Sequence, residues 1–248
     1  MKRKLMIVVL LLFVYNVLAN AVLLDISAHL NHSDGKGKNT LHFVVNGVSF
    51  NMIAVKGKVS RELNSNKTMV ENFYIGKTEV TQALWQAVMG NNPSYFTGDE
   101  SLPVEQVSWE DCQSFIARLN CLTGKTFRLP TVAEWEYAAC GGAKRKDYKY
   151  SGGNKLMKIA WCDDNSIGQT HPVAKKKSNE LGIHDMSGNV WEWCHDDYFL
   201  DDGNSIDTEF KSIRGGSWIN KDWCCQSCTR SYYLMSEKSF YVGFRLAL

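Results

Sequence analysis

The chain has 248 residues, 44% of them hydrophobic, and a formal net charge of +2 at pH 7. This length is enough for one substantial core, so one main domain is expected. A nearly neutral chain whose basic runs, such as residues 175–177, are only three residues long argues against a nucleic-acid partner.

The first residues have the pattern of a secretory signal. Basic residues at positions 2–4 precede an apolar run from 5 to 18, and residues 19–21 (Ala-Asn-Ala) supply small residues for cleavage. The run is shorter than the roughly 20 residues of a membrane-spanning helix, and Asn16 interrupts it. We therefore predict a signal peptide at 1–21 and an exported, periplasmic or extracellular protein with no stable membrane span after cleavage.

The next segments predict where the folded domain begins. Residues 22–40 are polar and glycine-rich without periodicity, which predicts a flexible lead-in, and the domain is expected at 41–248. Two β-branched and aromatic runs, 41–45 and 48–55, flank Asn-Gly, the pair favoured in two-residue hairpin turns. The domain is thus expected to open with a hairpin.

The first half of the domain then predicts a strand and three helices. Residues 73–80 favour a strand. Three helices are expected to begin after Thr81, Ser108 and Thr131. Asp111 and Glu134 stand three residues after their caps, the spacing of a reciprocal capping box. The helices are expected only in this half.

The second half has the composition of ordered loops with short strands. Glycine, asparagine and charged residues are punctuated by single aromatics from residue 144 onward. Strand-like stretches recur at 190–193, 212–218 and 241–248. The predicted class is therefore α+β with little regular secondary structure. Tryptophans spread along the chain are expected to organise these loops by packing: Trp85, Trp109, Trp135, Trp191, Trp193 and Trp218.

A series of short motifs gives the chain a family resemblance. The motifs are Phe-Tyr-Ile-Gly-Lys-Thr-Glu-Val-Thr at 73–81, Arg-Leu-Pro-Thr at 128–131, Asp-Met-Ser-Gly-Asn-Val-Trp-Glu-Trp at 185–193, Arg-Gly-Gly-Ser-Trp at 214–218 and Gly-Phe-Arg-Leu at 243–246. In this combination and order the chain resembles the formylglycine-generating-enzyme, or sulfatase-modifying-factor, domain family. The resemblance implies a C-type-lectin-like fold.

Active members of that family oxidise a substrate cysteine to formylglycine with a copper(I) ion held by two thiolates. Soft thiolates suit Cu(I) because they are polarizable. By the family pattern the two cysteines stand five positions apart after the Gly-Gly-Ser element, and these positions correspond here to Asn220 and Cys225. The resemblance also places Ser217 beside the reaction site. The expected copper pair is therefore incomplete, and Cys225 and Ser217 are catalytic candidates only if the oxidase activity exists.

Other roles for the eight cysteines stay open at the sequence level, and their disulfide pairing cannot be deduced from it. Cys225 followed by Arg230 also matches a structural cysteine of relatives that lack the oxidase pair. Cys225 and Cys228 have the two-residue spacing of a thiol–disulfide centre, but no thioredoxin-like setting surrounds them. A zinc site would need two further ligands at a suitable spacing.

The resemblance also implies a structural calcium ion. The family's ligand positions correspond to the side chains of Asp185 and Glu192 and the carbonyl groups of Gly188 and Val190. Carboxylate and carbonyl oxygens are the ligands that Ca²⁺ prefers, and glycine allows the loop to curl around the ion. The alternative is a turn in which Asp185 and Asn189 bind their own backbone.

Three functions follow from these motifs. The first is an exported, non-catalytic module that binds a protein, peptide or glycan in a surface groove. The second is a copper-dependent oxidase that uses Cys225 with an unrecognised second ligand. The third is a structural surface protein without a cleft near Trp218 and Trp223.

Overall fold

The asparagine–glycine pair forms the predicted hairpin turn in the computed structural model, which describes residues 39–59, 69–198 and 209–248. Asn46 and Gly47 both have positive φ, at 47° and 83°, as a type I′ turn requires. The turn joins β1 (Thr40–Val45) to β2 (Val48–Val55) in antiparallel register. The predicted signal and lead-in, 1–21 and most of 22–40, lie outside the described residues.

Strand β2 also pairs with β5 (Phe73–Gly76), which gives a three-stranded sheet in the order β1-β2-β5. Strand β5 ends earlier than the predicted 73–80 because the following residues bond to other segments: the Val80 amide donates to the Phe244 carbonyl at 2.9 Å. A minor sheet pairs β3 (Lys58–Val59) with β4 (Met69–Val70).

The three predicted helices are present, with the predicted caps: α1 (Gln82–Met89), α2 (Trp109–Thr123) and α3 (Val132–Ala139). Both capping boxes form. The Asp111 amide donates to the Ser108 hydroxyl at 3.1 Å, and the Asp111 carboxylate accepts from the Ser108 amide at 3.0 Å. Thr131 and Glu134 make the same exchange. These reciprocal bonds fix each helix start locally.

Helices also occur in the second half, so their expected confinement to the first half is wrong. Helix α4 (Leu156–Ile159) is a single turn, and two 3₁₀ turns cover Gly142–Lys144 and Asp222–Cys225. None of the three has a side-chain hydrogen bond at its N-cap. Such short turns have neither helical periodicity nor a capping pattern, so the sequence contains no signal for them.

The largest sheet is formed by strands of the C-terminal half. Its four strands have the order β8-β7-β6-β9: β6 (Trp191–Asp197), β7 (Phe210–Arg214), β8 (Arg230–Leu234) and β9 (Val242–Gly243). Strands β6 and β9 are parallel, and the other pairs are antiparallel.

Tryptophans pack the core as predicted: Trp193 is fully buried and its indole N–H donates to the Val107 carbonyl at 3.0 Å. The described residues belong to one compact unit. Among the described helices, none is long and apolar enough to cross a membrane.

A buried ion pair fastens the C-terminal segment to both main sheets. The Arg245 guanidinium donates to both carboxylate oxygens of Glu192 on β6, each at 2.6 Å, and neither side chain is exposed to solvent. Its remaining nitrogen donates to the Gly76 carbonyl on β5 at 3.0 Å. The His184 carbonyl accepts a further bond at 3.0 Å. One side chain therefore connects two sheets and a loop.

We expect Arg245→Met to lower the free energy of unfolding by about 3–5 kcal/mol, because it leaves the buried Glu192 carboxylate without its partner. Urea denaturation measures this. Lys149→Met is the control, since it removes one partner of the exposed Lys149–Asp222 pair and should leave the free energy of unfolding almost unchanged. Equal losses for the two variants would contradict a central role for Arg245.

Candidate functional site

Gly215 and Gly216 follow strand β7, and Gly216 lies against the 3₁₀ turn Asp222–Cys225. Gly215 and Gly216 have φ values of 102° and 75°, in the region that favours glycine. A Cβ atom on Gly216 would lie 2.9 Å from both the Cys224 carbonyl oxygen and the Cys225 sulfur. The glycine is therefore needed for the close approach of Cys225 to the segment that leads into Ser217.

Asn220 closes the loop after Ser217. The Ser217 hydroxyl and amide both donate to the Asn220 side-chain oxygen, at 2.6 and 3.0 Å. The Asn220 carbonyl in turn accepts from the Asp163 amide at 3.0 Å. At the position of the first expected copper ligand, the chain therefore has an amide that is already bonded within the protein.

Cys225 is fully buried, and this burial raises the pKa of its thiol far above the ordinary range for cysteine. The neighbouring thiol Cys162 adds to the shift. Both cysteines belong to one small apolar cluster with Tyr150, Leu156, Ile159 and Ala160. Sequence reasoning missed Cys162, because no local spacing links it to Cys225. In the absence of a metal ion, burial therefore favours the protonated form of the Cys225 thiol.

The donor set at this place does not fit a two-thiolate copper site. At the two positions of the family pattern it offers one buried thiol, Cys225, and one side-chain amide, Asn220, whose oxygen already accepts from Ser217. Across the part of the chain that the structure describes, no three histidine, cysteine or acidic side chains are grouped to hold a metal ion. The incomplete copper pair stays a prediction from the sequence.

The expected calcium ligands lie in one tightly curled loop. Asp185 and Gly188 have φ values of 59° and 78°, and a Cβ atom on Gly188 would lie 2.1 Å from the Trp161 carbonyl oxygen. The Asp185 carboxylate accepts from the Ala174 amide at 2.6 Å, and Asn189 bonds Glu79 and His171. These partners belong to other segments, so the alternative of a turn bonded to itself does not describe the loop.

The same loop surrounds an excess of buried negative charge. Glu79, Asp185 and Glu192 are all buried, and Arg245 is the cation that pairs with this group. Burial raises the pKa of Glu79 well above its ordinary value, and the neighbouring carboxylates add to the shift. Burial also raises the pKa of Asp185. Sequence reasoning missed Glu79 and Arg245, although both belong to the motifs that carry the resemblance.

The Glu192 carboxylate already accepts hydrogen bonds from other side chains of the protein. Besides Arg245, the Trp135 indole donates to its carboxylate at 2.6 Å. A cation would relieve the excess charge, and Asp185 suits it, but Glu192 would have to share its oxygens with these donors. The Val190 amide donates to Glu79 at 3.2 Å, which ties the loop to the first half of the chain. The calcium site stays a prediction.

Four aromatic rings lie together beside Ser217, and we call them the aromatic surface: Tyr95, Phe96, Trp218 and Phe240. Ring centroids are 5.0 Å apart for Tyr95 and Phe96, 5.3 Å for Phe96 and Trp218, and 5.8 Å for Tyr95 and Phe240. Tyr95 is 68% exposed and Phe240 36%. Large apolar rings left in water mark an interaction site.

Aliphatic side chains on the adjoining loops extend the apolar character. Ile219 follows Trp218 directly and is 45% exposed. Ile167 is 89% exposed, and its neighbour Ser166 donates to the Trp218 carbonyl at 2.8 Å. Of the aromatic surface, sequence reasoning named Trp218 alone, because the other three rings come from loops distant in sequence.

Comparisons with known proteins agree with this geometry. A family model described as the sulfatase-modifying factor enzyme 1-like domain matches residues 28–248. The chaperone protein LppX of Paenibacillus barcinonensis is 35% identical, over 70% of this chain and 80% of that protein. The inactive C-alpha-formylglycine-generating enzyme 2 of Bos taurus is 32% identical over 65% of this chain. The chain spans 53% of that enzyme's length.

The solved structure of Treponema denticola variable protein 1 superimposes with a TM-score of 0.73 and 32% identity. The match covers 85% of this chain and 99% of that chain. The predicted α+β, C-type-lectin-like fold is therefore confirmed. The chain belongs to the sulfatase-modifying-factor, or formylglycine-generating-enzyme-like, domain family.

Proposed function

We propose that this chain is a non-catalytic binding module that takes an apolar peptide segment of a partner protein on the aromatic surface. The observation that carries the proposal is the group of aromatic rings beside Ser217, of which Tyr95 and Phe240 are exposed, Phe96 is half-buried and Trp218 is buried. Fold alone does not give function, so the proposal rests on these side chains.

The geometry of the rings favours binding. Phe96 packs edge-to-face against both Tyr95 and Trp218, with interplanar angles of 90° and 89°. The Trp218 indole N–H donates to the Phe240 carbonyl at 3.1 Å, which holds the two segments together. Rings fixed in this way lose little conformational freedom on binding, and aromatic anchors supply much of the energy at interfaces.

The surrounding chemistry favours a peptide over a glycan. A glycan ligand needs hydrogen-bonding groups for its hydroxyls. Ser217 is buried and bonded to Asn220, although the exposed Tyr95 does present a hydroxyl. The adjoining Ile167 and Ile219 offer aliphatic contacts instead. The names of two similar proteins, a chaperone and a variable protein, are in keeping with a recognition role.

The oxidase alternative retains one supporting observation, because Cys225 stays beside Gly216 at the family's second ligand position. Against it, Asn220 replaces the first cysteine and burial raises the pKa of the Cys225 thiol. An oxidase would need a second thiolate, and Cys162 is the thiol that shares a cluster with Cys225.

We expect the purified chain to bind members of an array of 12-residue peptides rich in apolar side chains. Tyr95→Ala and Phe240→Ala should each weaken binding at least tenfold, because truncating a central aromatic anchor costs about 2 kcal/mol or more. Tyr232→Ala is the matched control: Tyr232 is also exposed, but it packs with Tyr198 and Phe210.

A glycan array run in parallel separates the ligand classes. Binding to glycans alone, or an equal loss in the Tyr232 control, would overturn the peptide proposal. Retained binding in both the Tyr95 and Phe240 variants would remove the aromatic surface as the site.

Metal titrations separate the module from the oxidase. We expect no uptake of copper(I) by the reduced protein and no oxygen consumption with a cysteine peptide, since the two-thiolate donor set is incomplete. Copper uptake that Cys225→Ser abolishes would instead establish the oxidase. We propose that calcium binds near Asp185, so calcium should raise the melting temperature, and Asp185→Asn and Glu192→Gln should remove that rise. No rise in the unmodified chain would refute the calcium site.

We also propose that the protein is exported, from the basic start, apolar run and Ala-Asn-Ala of residues 1–21. Mass spectrometry of the protein recovered from expressing bacteria should find Val22 at the mature N-terminus. A replacement of the apolar run by polar residues should keep the intact chain in the cytoplasm. An unprocessed N-terminus in a released protein would contradict signal cleavage.

A further inference from the structure

We infer that Glu105 makes the aromatic surface pH-sensitive: protonation of its side chain keeps the Tyr95–Phe96 segment closed over it, and ionisation favours opening. The effect on ligand binding rests on the proposed function, whereas the effect on the segment itself does not.

Glu105 lies directly behind this segment. Its side chain is fully buried, and its carboxylate accepts from the Phe96 amide at 2.9 Å and from the Tyr95 amide. The Glu105 amide donates back to the Ser94 hydroxyl at 3.3 Å. The segment that carries two of the four rings is therefore attached to one acidic side chain.

The second carboxylate oxygen of Glu105 is buried and has no hydrogen-bond partner among the described residues. A buried ionised oxygen without a partner is costly, because water would otherwise solvate it. The closed segment therefore suits a neutral carboxyl group better than a carboxylate. Sequence reasoning gave Glu105 no role.

The elements packed around Glu105 supply no opposing charge to its carboxyl group. Gln82 on α1 is neutral and donates to the Phe96 carbonyl at 2.7 Å. The titratable groups on the segment itself are the Tyr95 hydroxyl and the acidic Asp99 and Glu100. The loop that carries Phe240 contributes Lys238, and Lys238 pairs with Asp111 at 2.6 Å.

Burial consequently raises the pKa of Glu105 from its ordinary 4.5 to about 7. In an open state, in which water reaches the carboxyl group, the pKa returns to its ordinary value. The closed state therefore holds the proton more tightly, so its advantage is complete below about pH 4.5 and is lost as pH rises to about 7. Between these values the ratio of open to closed molecules rises up to about tenfold per pH unit.

Opening would dismantle half of the aromatic surface. It would separate Tyr95 from Phe240 and Phe96 from Trp218, whose ring centroids are now 5.8 and 5.3 Å apart. A ligand that needs all four rings would then bind the closed form alone. Its apparent affinity should fall as the closed population falls.

Hydrogen exchange followed by mass spectrometry tests the inference on the full chain. The exchange rate of the fragment covering residues 93–102 is measured at pH 5 and 7.5 for the unmodified chain and for Glu105→Gln, which cannot ionise. At each pH, the exchange rate of the unmodified chain is divided by that of Glu105→Gln, so that the intrinsic exchange rates cancel. This ratio should rise roughly fiftyfold from pH 5 to pH 7.5.

Two further variants serve as a substitute for Glu105→Gln and as a control. Glu105→Leu removes the ionisable group without introducing an amide, and replaces Glu105→Gln if that variant does not fold. Glu110→Gln, at an exposed glutamate on α2, should follow the unmodified chain at both pH values. A ratio that changes less than about threefold would overturn the inference.

Peptide binding at the same two pH values separates this inference from the proposed function. Weaker binding at pH 7.5 in the unmodified chain but not in Glu105→Gln supports both. A pH-dependent exchange ratio without any peptide binding refutes the function and leaves the switch. Peptide binding with an unchanged exchange ratio refutes the switch and leaves the function.

Discussion

The pairing of Arg245 with Glu192 is the constraint on which the described structure depends. Two opposite charges without solvent access stabilise one another only while both stay in place, because a lone buried charge is costly. Since Arg245 also bonds the Gly76 and His184 carbonyls, the pair fixes the C-terminal segment against the first sheet, strand β6 and the curled loop at once. A fold with short strands and many loops has few ladder hydrogen bonds to do this by other means.

Gly216, Ser217, Asn220 and Cys225 come together at the place where the family resemblance puts the reaction site. Gly216 still allows the close approach of Cys225, and Ser217 keeps its place. The amide of Asn220 has become part of the loop's own hydrogen bonding. The amide at position 220 thus satisfies the loop's own Ser217 hydroxyl and amide, where the family pattern has a thiolate.

The aromatic surface lies beside Ser217, and a buried acid lies behind part of it. The aromatic surface presents rigid rings, and the segment that carries two of them is attached to the buried Glu105 carboxyl group. Desolvation of that group couples the surface to proton concentration, because ionisation is compatible with water and poorly compatible with the closed segment. The proposed sensitivity of this surface to pH thus has one physical origin, the burial of the Glu105 carboxyl group behind it.

The sequence alone determined the features that depend on neighbours in the chain. Asn46-Gly47 set the hairpin turn, and Ser108 with Asp111 set the start of a helix, because each signal satisfies its backbone bonds within a few residues. The family motifs also determined the fold class and the mismatch at Asn220. One-turn helices such as Leu156–Ile159 escaped prediction because they have no such local signal.

Only the tertiary structure decided which distant side chains meet. The grouping of Arg245 with Glu192, of Cys162 with Cys225, and of Tyr95 with Phe240 depends on loops that bring remote segments together. The raised pKa of Glu105 depends on the same packing, since it follows from burial and from the missing partner of one oxygen. Burial and charge environment are properties of the assembled core, so no local pattern of residue types specifies them.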